Sequence, residues 1–149
     1  MRTTLAGLEA QGYEVEELDL PSLAYSLAVY YIIVPAEVAS NLARYDGIRY
    51  GVRPKSVSNL DSIYSQTRTN GFMPENKRRI MIGNYVLSSG YHDAYYNRAM
   101  QVRNLITEDY NKAFNKVDLI LTPTTTGPAF KIGEKVNDPV KMYLEDIFT

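Results

Sequence analysis

Residues 95–122 read YYNRAMQVRNLITEDYNKAFNKVDLILT and carry the strongest periodic signal in the chain. Apolar side chains recur there at steps of three and four residues, which is the spacing of one face of an α-helix. They are Tyr95, Ala99, Val102, Ile106, Tyr110, Ala113 and Val117. The apolar run Asp118–Thr122 follows at once and is ended by Pro123, as is typical of a buried parallel strand that leads into a loop. A long helix joined to a buried strand predicts an α/β fold.

The N-terminal part of the chain shows the same order of elements. Residues 2–11 predict a helix, and Tyr13–Leu20 is a plausible strand after it. The longest uncharged stretch, Leu20–Ala36, is short for a membrane span and is interrupted by prolines and serines. We therefore predict a buried helix that Pro35 kinks or restarts, and no attachment to a membrane.

The middle of the chain predicts a loop between helices. Ile48–Asn59 has no sustained period and contains glycine, proline and serine, so we expect an exposed loop. Leu60–Thr69 and Pro74–Ser89 then predict two helices, each followed by a glycine that can end it. Near the C-terminus, Asp138 and Pro139 form a suitable N-cap and first residue for a final short helix.

Composition and charge exclude several classes of function. The 149 residues can form one substantial core, and 16 Lys and Arg against 17 Asp and Glu leave a net charge of −1. Because a nucleic-acid-binding face needs an excess of positive charge, independent binding of DNA or RNA is disfavoured. With no Cys and with His92 as the single His, we expect neither a metal site nor a Ser-His-Asp triad. Ser88 and Ser89 lack a Lys or His placed to activate them, so we assign them no catalytic role.

Two charged side chains are candidates for ligand binding. The basic run Lys77–Arg79 is typical of a solvated helix face. Arg79, however, shares its helix face with Gly83 and Val86, and a guanidinium beside such a small, apolar strip favours a carboxylate partner. Asp146 is flanked by apolar residues, and it could be a surface acid, a helix cap or the receiver of a cationic ligand group.

Several blocks of sequence together resemble one known family. They read SLAVYYIIVPAEVASNLARYDGIRYG at 26–51, KRRI at 77–80, SSGYHDAYY at 88–96, LTPTT at 121–125 and MYLED at 142–146. In this order, they resemble the A subunits of glutamyl-tRNA(Gln) amidotransferases, which are amidase-signature proteins. The resemblance extends over nearly the whole chain and implies a mixed sheet covered by helices. The resemblance also implies that residues 1–149 are a single, truncated domain, which corresponds to the middle-to-late part of an amidase-signature domain. This part is expected to be rich in helices and to contain an incomplete sheet.

The resemblance also implies where the chemistry lies. The catalytic residues of the family are a Ser, a second Ser in a cis peptide and a Lys, and they lie before the matching region, so Met1 is expected to fall within the fold. We therefore expect no catalytic residue in this chain and no activity from it alone. By similarity, Tyr30, Arg79 and Asp146 match the substrate-binding positions of the family. An Arg can bind the α-carboxylate of glutamine, an Asp its α-ammonium group, and a Tyr hydroxyl can orient it.

The implied reaction needs partners. In this family, the A subunit hydrolyses glutamine, and the released ammonia converts Glu-tRNA(Gln) to Gln-tRNA(Gln) on a B subunit that uses ATP and Mg²⁺, with a C subunit in the complex. We expect no cofactor in this chain itself. The N-terminus shows no apolar signal segment, and a cytoplasmic location is expected.

Two other functions remain open from the sequence. One is an amidase-signature hydrolase with a different amide substrate, although such an enzyme would have no use for a pair of charges that binds a zwitterion. The other is a non-catalytic binding or assembly module that kept the scaffold only. If the two predicted strands lack neighbours, the isolated chain is expected to be poorly soluble or to self-associate.

Overall fold

The computed structural model describes residues 1–145, and this part of the chain is helix-rich. Its α-helices are α1 Arg2–Ala10, α2 Ser26–Leu42, α3 Leu60–Gly71, α4 Pro74–Leu87, α5 Arg98–Phe114 and α6 Pro139–Leu144. A short 3₁₀-helix, Pro21–Tyr25, precedes α2, and a π-helix, His92–Asn97, precedes α5. The helices predicted from the sequence are confirmed, with boundaries that shift by a few residues.

The helix ends follow the local chemistry of the sequence. The Asn59 side chain accepts a hydrogen bond from the backbone N–H of Ser62 at 2.8 Å, and the Ser62 hydroxyl oxygen accepts one from the Asn59 N–H, which makes a capping box for α3. At α6, Oδ1 of Asp138 accepts a hydrogen bond from the backbone N–H of Lys141 at 3.1 Å. Gly12 adopts a φ of 89° shortly after α1, a conformation that side chains with a Cβ rarely adopt.

We expected Pro35 to kink or restart the helix; α2 continues through Pro35, so the restart is wrong, and the kink stays a prediction. Pro35 is fully buried, and Ala36 and Ala39 beside it are also buried, which shows that packing holds the helix together despite the lost backbone donor. By length and composition, Pro21–Leu42 could also cross a membrane, with a mean hydropathy of 1.4. One such helix is weak evidence for a membrane location. Only 22% of its apolar window is buried in this structure, so the prediction of a buried helix holds only for a few residues such as Pro35, Ala36 and Ala39.

The two strand predictions, Tyr13–Leu20 and Asp118–Thr122, are wrong for this structure. Both segments are irregular, and residues 1–145 contain no β-strand. A strand forms only when a neighbouring strand pairs with its backbone N–H and C=O groups, and these two segments do not pair with each other. The apolar side chain of Leu119 is consequently 85% exposed. The α/β fold with a mixed sheet therefore stays a prediction.

The described residues form two compact units. The first consists of Met1–Leu27 together with the described residues from Val102 onward, and the second of Ala28–Gln101. In the first unit, Oδ2 of Asp109 on α5 accepts a hydrogen bond from the backbone N–H of Ser22 at 3.0 Å. In the second unit, most of the buried apolar side chains come from α2, α3 and α4. The single-domain organisation stays a prediction.

Candidate ligand-binding site

Arg79 lies in the middle of α4 and is anchored by a carboxylate of the same helix. Its side chain is 24% exposed, and its Nε donates a hydrogen bond to Oε1 of Glu75 at 3.0 Å. The other oxygen of Glu75, Oε2, accepts a hydrogen bond from Nη1 of Arg78 at 2.7 Å. The carboxylate that we expected Arg79 to favour is thus supplied, at its Nε edge, by the residue four positions before it.

Two tyrosines of α2 complete the surroundings of Arg79. The guanidinium carbon of Arg79 lies 5.7 Å from the centre of the Tyr31 ring, within the range of a cation–π contact. The Tyr30 side chain lies close enough to the guanidinium to raise the pKa of Arg79, and the Tyr30 and Tyr31 rings meet edge to face at 4.9 Å. Burial lowers the pKa of Arg79, but the interactions with Glu75 and Tyr30 outweigh burial and raise it overall. Arg79 therefore stays charged.

The structure brings together two of the three site residues predicted from the sequence. Tyr30 and Arg79 are neighbours, although Tyr30 lies on α2 and Arg79 on α4, 49 positions later in the chain. The third residue, Asp146, lies outside the described residues. The pairing of Arg79 with Asp146 consequently stays a prediction.

The contact between α2 and α4 depends on small residues. A Cβ placed on Gly83 would lie 2.6 Å from the carbonyl carbon of Pro35 and 2.7 Å from Cβ of Ala39, so only glycine fits at this point. Gly83 and Val86 are both buried on α4. The small, apolar strip predicted next to Arg79 is thus the face that packs on α2, and it places Arg79 beside the tyrosines of that helix.

A groove of about 520 Å³ opens between these helices. Its lining residues are Val34, Glu37, Val38, Asn41, Leu42, Glu75, Asn76 and Arg79. Glu37 is held in place by the Tyr96 hydroxyl, which donates a hydrogen bond to Oε1 at 3.2 Å. The groove thus combines one guanidinium with two carboxylates and two amides. Groups of both charges suit a ligand that itself carries both charges.

Sequence reasoning did not identify Glu75, Glu37 and Tyr31 as part of this site. The signal for Glu75 was present, because a glutamate four residues before an arginine on a helix is a standard ion pair. Glu37 and Tyr31 carried no such signal, since their positions near Arg79 follow from the packing of α2 on α4. Such packing cannot be read from residue spacing within one helix.

The remaining polar candidates show no catalytic arrangement. The Ser88 hydroxyl donates a hydrogen bond to the backbone carbonyl of Tyr85 at 2.7 Å, as expected at a helix end. Nδ1 of His92 lies 3.4 Å from Oδ1 of Asp93 on the surface. Across residues 1–145, three or more His, Asp or Glu side chains do not gather in a way that could hold a metal ion.

A second cavity, of about 570 Å³, lies beside the turn that follows α2. Oδ1 of Asp46 accepts hydrogen bonds from the backbone N–H groups of Ile48 at 2.8 Å and Arg49 at 2.9 Å, which fixes the turn and lowers the pKa of Asp46. Gly47 has a φ of 75° and packs against the side chain of Thr67. These groups satisfy one another, and they explain the shape of the turn without a ligand.

Comparison with known proteins gives the family. A model of the family described as Amidase matches residues 1–149. The chain belongs to the amidase family. Within it, the chain is 60% identical, over 142 residues and 95% of its length, to the A subunit of the glutamyl-tRNA(Gln) amidotransferase of Sulfurihydrogenibium sp.. It is also 60% identical, over 95% of its length, to the corresponding protein of Carboxydothermus hydrogenoformans. Its identity to the corresponding protein of Myxococcus xanthus is 53% over 100% of the chain.

These relatives confirm the resemblance seen in the sequence. The amidase chain covers 29% of the Sulfurihydrogenibium and Carboxydothermus relatives and 31% of the Myxococcus relative. It thus spans about 30% of the length of the curated relatives that it matches. All three relatives are named as the A subunit of a glutamyl-tRNA(Gln) amidotransferase.

Proposed function

We propose that this amidase segment binds the glutamine substrate of an amidotransferase that converts Glu-tRNA(Gln) to Gln-tRNA(Gln). The observation that carries the proposal is the contact between Tyr30 and Arg79, two residues that match substrate-binding positions by similarity and lie on different helices. A half-buried guanidinium with a tyrosine hydroxyl beside it is suited to bind a carboxylate. The relatives are named as subunits of a glutamyl-tRNA(Gln) amidotransferase, and the glutamine substrate that we propose for this reaction carries such a carboxylate.

In the proposed reaction, each residue of the segment has one role. Arg79 binds the α-carboxylate of glutamine, the Tyr30 hydroxyl orients it, and Asp146 binds the α-ammonium group. These contacts hold the side-chain amide toward a serine nucleophile, which is supplied by the part of the relatives that the chain does not span. Binding and orientation are thus the contribution of this segment, and the bond-breaking step belongs to the catalytic Ser-Ser-Lys residues elsewhere.

The proposal extends to the rest of the complex. Ammonia released from glutamine would pass to a B subunit, where ATP and Mg²⁺ activate Glu-tRNA(Gln), and a C subunit would complete the assembly. The tRNA would contact the B subunit, which agrees with the net charge of −1 of this segment. The same proposal places the protein in the cytoplasm, where translation takes place.

A chimera provides the test. In it, this chain replaces the matching 142 residues of the Sulfurihydrogenibium relative, and the product is assembled with the other subunits of that enzyme. Arg79→Ala should raise the KM for glutamine by at least roughly tenfold, because a charge-assisted hydrogen bond contributes about 1.5–3 kcal/mol. Steady-state glutaminase assays measure this effect, and kcat should change little because the lost contact serves binding.

Matched variants test whether the effect is specific to Arg79. Arg44→Ala removes an exposed arginine whose Nε donates to the backbone carbonyl of Asn41 at 3.1 Å, and it should leave the KM unchanged. An unchanged KM in Arg79→Ala would reject the proposed role. Preference of the chimera for neutral amides over glutamine would favour a different amidase-signature hydrolase, and a chimera that folds but cleaves no amide would favour a non-catalytic module.

A further inference from the structure

Glu75 and Arg79 form the best-defined ion pair of the groove. A guanidinium presents two edges that can bind a carboxylate through parallel hydrogen bonds, one formed by Nε and one Nη, the other by the two Nη atoms. In the structure, Nε donates to Oε1 of Glu75 at 3.0 Å. Glu75 therefore uses the first edge, and a carboxylate ligand has to bind at the second.

We propose that Glu75 is a positioning residue, which holds the guanidinium of Arg79 so that its two Nη atoms bind the α-carboxylate of the substrate. This inference rests on the proposed function, because it explains how Arg79, the residue proposed to bind the carboxylate, is held in its orientation. Both side chains line the groove, so the ion pair belongs to the candidate site. Glu75 acts through Arg79 and has no contact of its own with the ligand.

Flexibility of the arginine side chain makes such a residue useful. A free arginine loses rotamer entropy when a ligand immobilises it, and a partner that has already fixed the side chain removes much of that cost. The Tyr31 ring, 5.7 Å from the guanidinium carbon, restricts one face of the guanidinium. Contact with a ring face does not fix how the guanidinium group is rotated within its own plane. A hydrogen bond to Nε does fix this rotation.

Charge balance keeps the site attractive for an anion. Glu75 is itself negative and would repel a substrate carboxylate if it stood alone. Arg78 offsets this repulsion, since its Nη1 donates to Oε2 of Glu75 at 2.7 Å. The three side chains, Glu75, Arg78 and Arg79, together carry one net positive charge, which attracts a carboxylate group, and Glu37, which lines the same groove, adds one negative charge that suits the ammonium group of the same ligand.

A purely structural role for Glu75 is the alternative that an experiment has to separate. Glu75 lies in the first turn of α4, where any negative charge stabilises the helix through its dipole. Glu75→Asp separates the two roles, because it keeps the charge in the first turn but shortens the side chain by one methylene group. The aspartate should stabilise the helix start and fail to reach Nε of Arg79.

The test measures glutamine hydrolysis by the assembled chimera and its thermal unfolding. Glu75→Asp should raise the KM by about fivefold or more, because the guanidinium group of Arg79 is no longer held in one orientation. The kcat and the unfolding midpoint should stay nearly unchanged. Glu75→Gln keeps the length and the acceptor oxygen, so it should restore most of the affinity. Lys77→Ala, which removes a cation of the same helix whose Nζ donates to the backbone carbonyl of Thr69 at 2.8 Å and which does not line the groove, should change the KM by less than about twofold.

The outcomes distinguish this inference from the proposed function. If Arg79→Ala raises the KM and Glu75→Asp does not, the inference is wrong and the proposed function stands. If Glu75→Ala lowers the unfolding midpoint while Glu75→Asp keeps both the KM and the midpoint of the parent, the role is structural and the inference is wrong. If neither Arg79→Ala nor Glu75→Asp changes the KM, both proposals fail.

Discussion

Gly83 on α4 lies directly against the backbone of Pro35 on α2. A Cβ at Gly83 would lie 2.6 Å from the carbonyl carbon of Pro35, a distance that side-chain carbons do not adopt in proteins. Pro35 is fully buried, and the added Cβ would also lie 2.7 Å from Cβ of Ala39, one turn further along α2. The distance between these two helices therefore depends on the missing side chain of one residue, and so does the placement of Arg79 beside Tyr30.

Gly83→Ala should destabilise the assembled chimera. The added methyl group meets backbone atoms, which cannot rotate away, so the helices have to separate at a cost of about 1–3 kcal/mol. Differential scanning calorimetry measures the loss. Gly7→Ala on α1 is the matched control, because a Cβ there has nothing within 4 Å and should increase stability by about 0.5–1 kcal/mol. Equal stability of the two variants would contradict the close approach of α2 and α4.

Asp109 should make the first unit sensitive to acid. It accepts a hydrogen bond from the backbone N–H of Ser22, and this contact, together with Lys112 nearby, lowers its pKa from the ordinary value of 3.8. A carboxylate with a lowered pKa stabilises the fold fully above the unfolded pKa, and this contribution is lost as the pH falls through the folded pKa. We expect the unfolding midpoint to decrease as the pH is lowered below 3.8.

An asparagine at this position provides the control for that prediction. Asp109→Asn keeps an oxygen that can accept from Ser22 but does not titrate. The stability difference between parent and variant should therefore shrink as the pH falls below 3.8. Urea titrations at several pH values measure this difference, and a constant difference over the whole range would show that Asp109 does not contribute through its charge.

The isolated chain should self-associate. Large apolar side chains are widely exposed, with Leu119 85% and Val52 84% accessible, and exposed apolar surface favours association. The two segments predicted as strands, Tyr13–Leu20 and Asp118–Thr122, also offer unpaired backbone groups. Sedimentation velocity at increasing concentration should show oligomers or aggregates. A monomer that unfolds in one cooperative transition would contradict this prediction and favour an independent module.

Helices were predictable from the sequence because their signals are local. Asn59 and Ser62 cap α3 three residues apart, and Asp138 and Pro139 start α6 as adjacent residues, so each boundary depends on a few neighbours in the chain. Strands were not predictable in the same way. The apolar run Asp118–Thr122 has the composition of a strand, but its conformation depends on partner strands, and the described residues provide none.

The candidate site was predictable only in part. Tyr30 and Arg79 were found through the resemblance to a family, and the structure adds that they meet. Glu75 belongs to the same helix as Arg79, so its contact follows from helical spacing alone. The contribution of Tyr31 depends on how closely α2 approaches α4, which in turn depends on Gly83. Such a contact between distant parts of the chain has no signature in the spacing of residues.

The π-helix His92–Asn97 decides in which direction α5 presents its side chains. A π-turn contains one residue more than an α-turn, so every side chain after it is rotated by about 100° around the axis relative to a continuous α-helix. Tyr95 is accordingly 40% exposed, although it continues the apolar stripe in the sequence, whereas Ala99 is 3% exposed. Deleting a single residue from this turn would change which side chains of the first turn of α5 are buried in the second unit without altering any residue of α5, so the length of this turn matters as much as its composition.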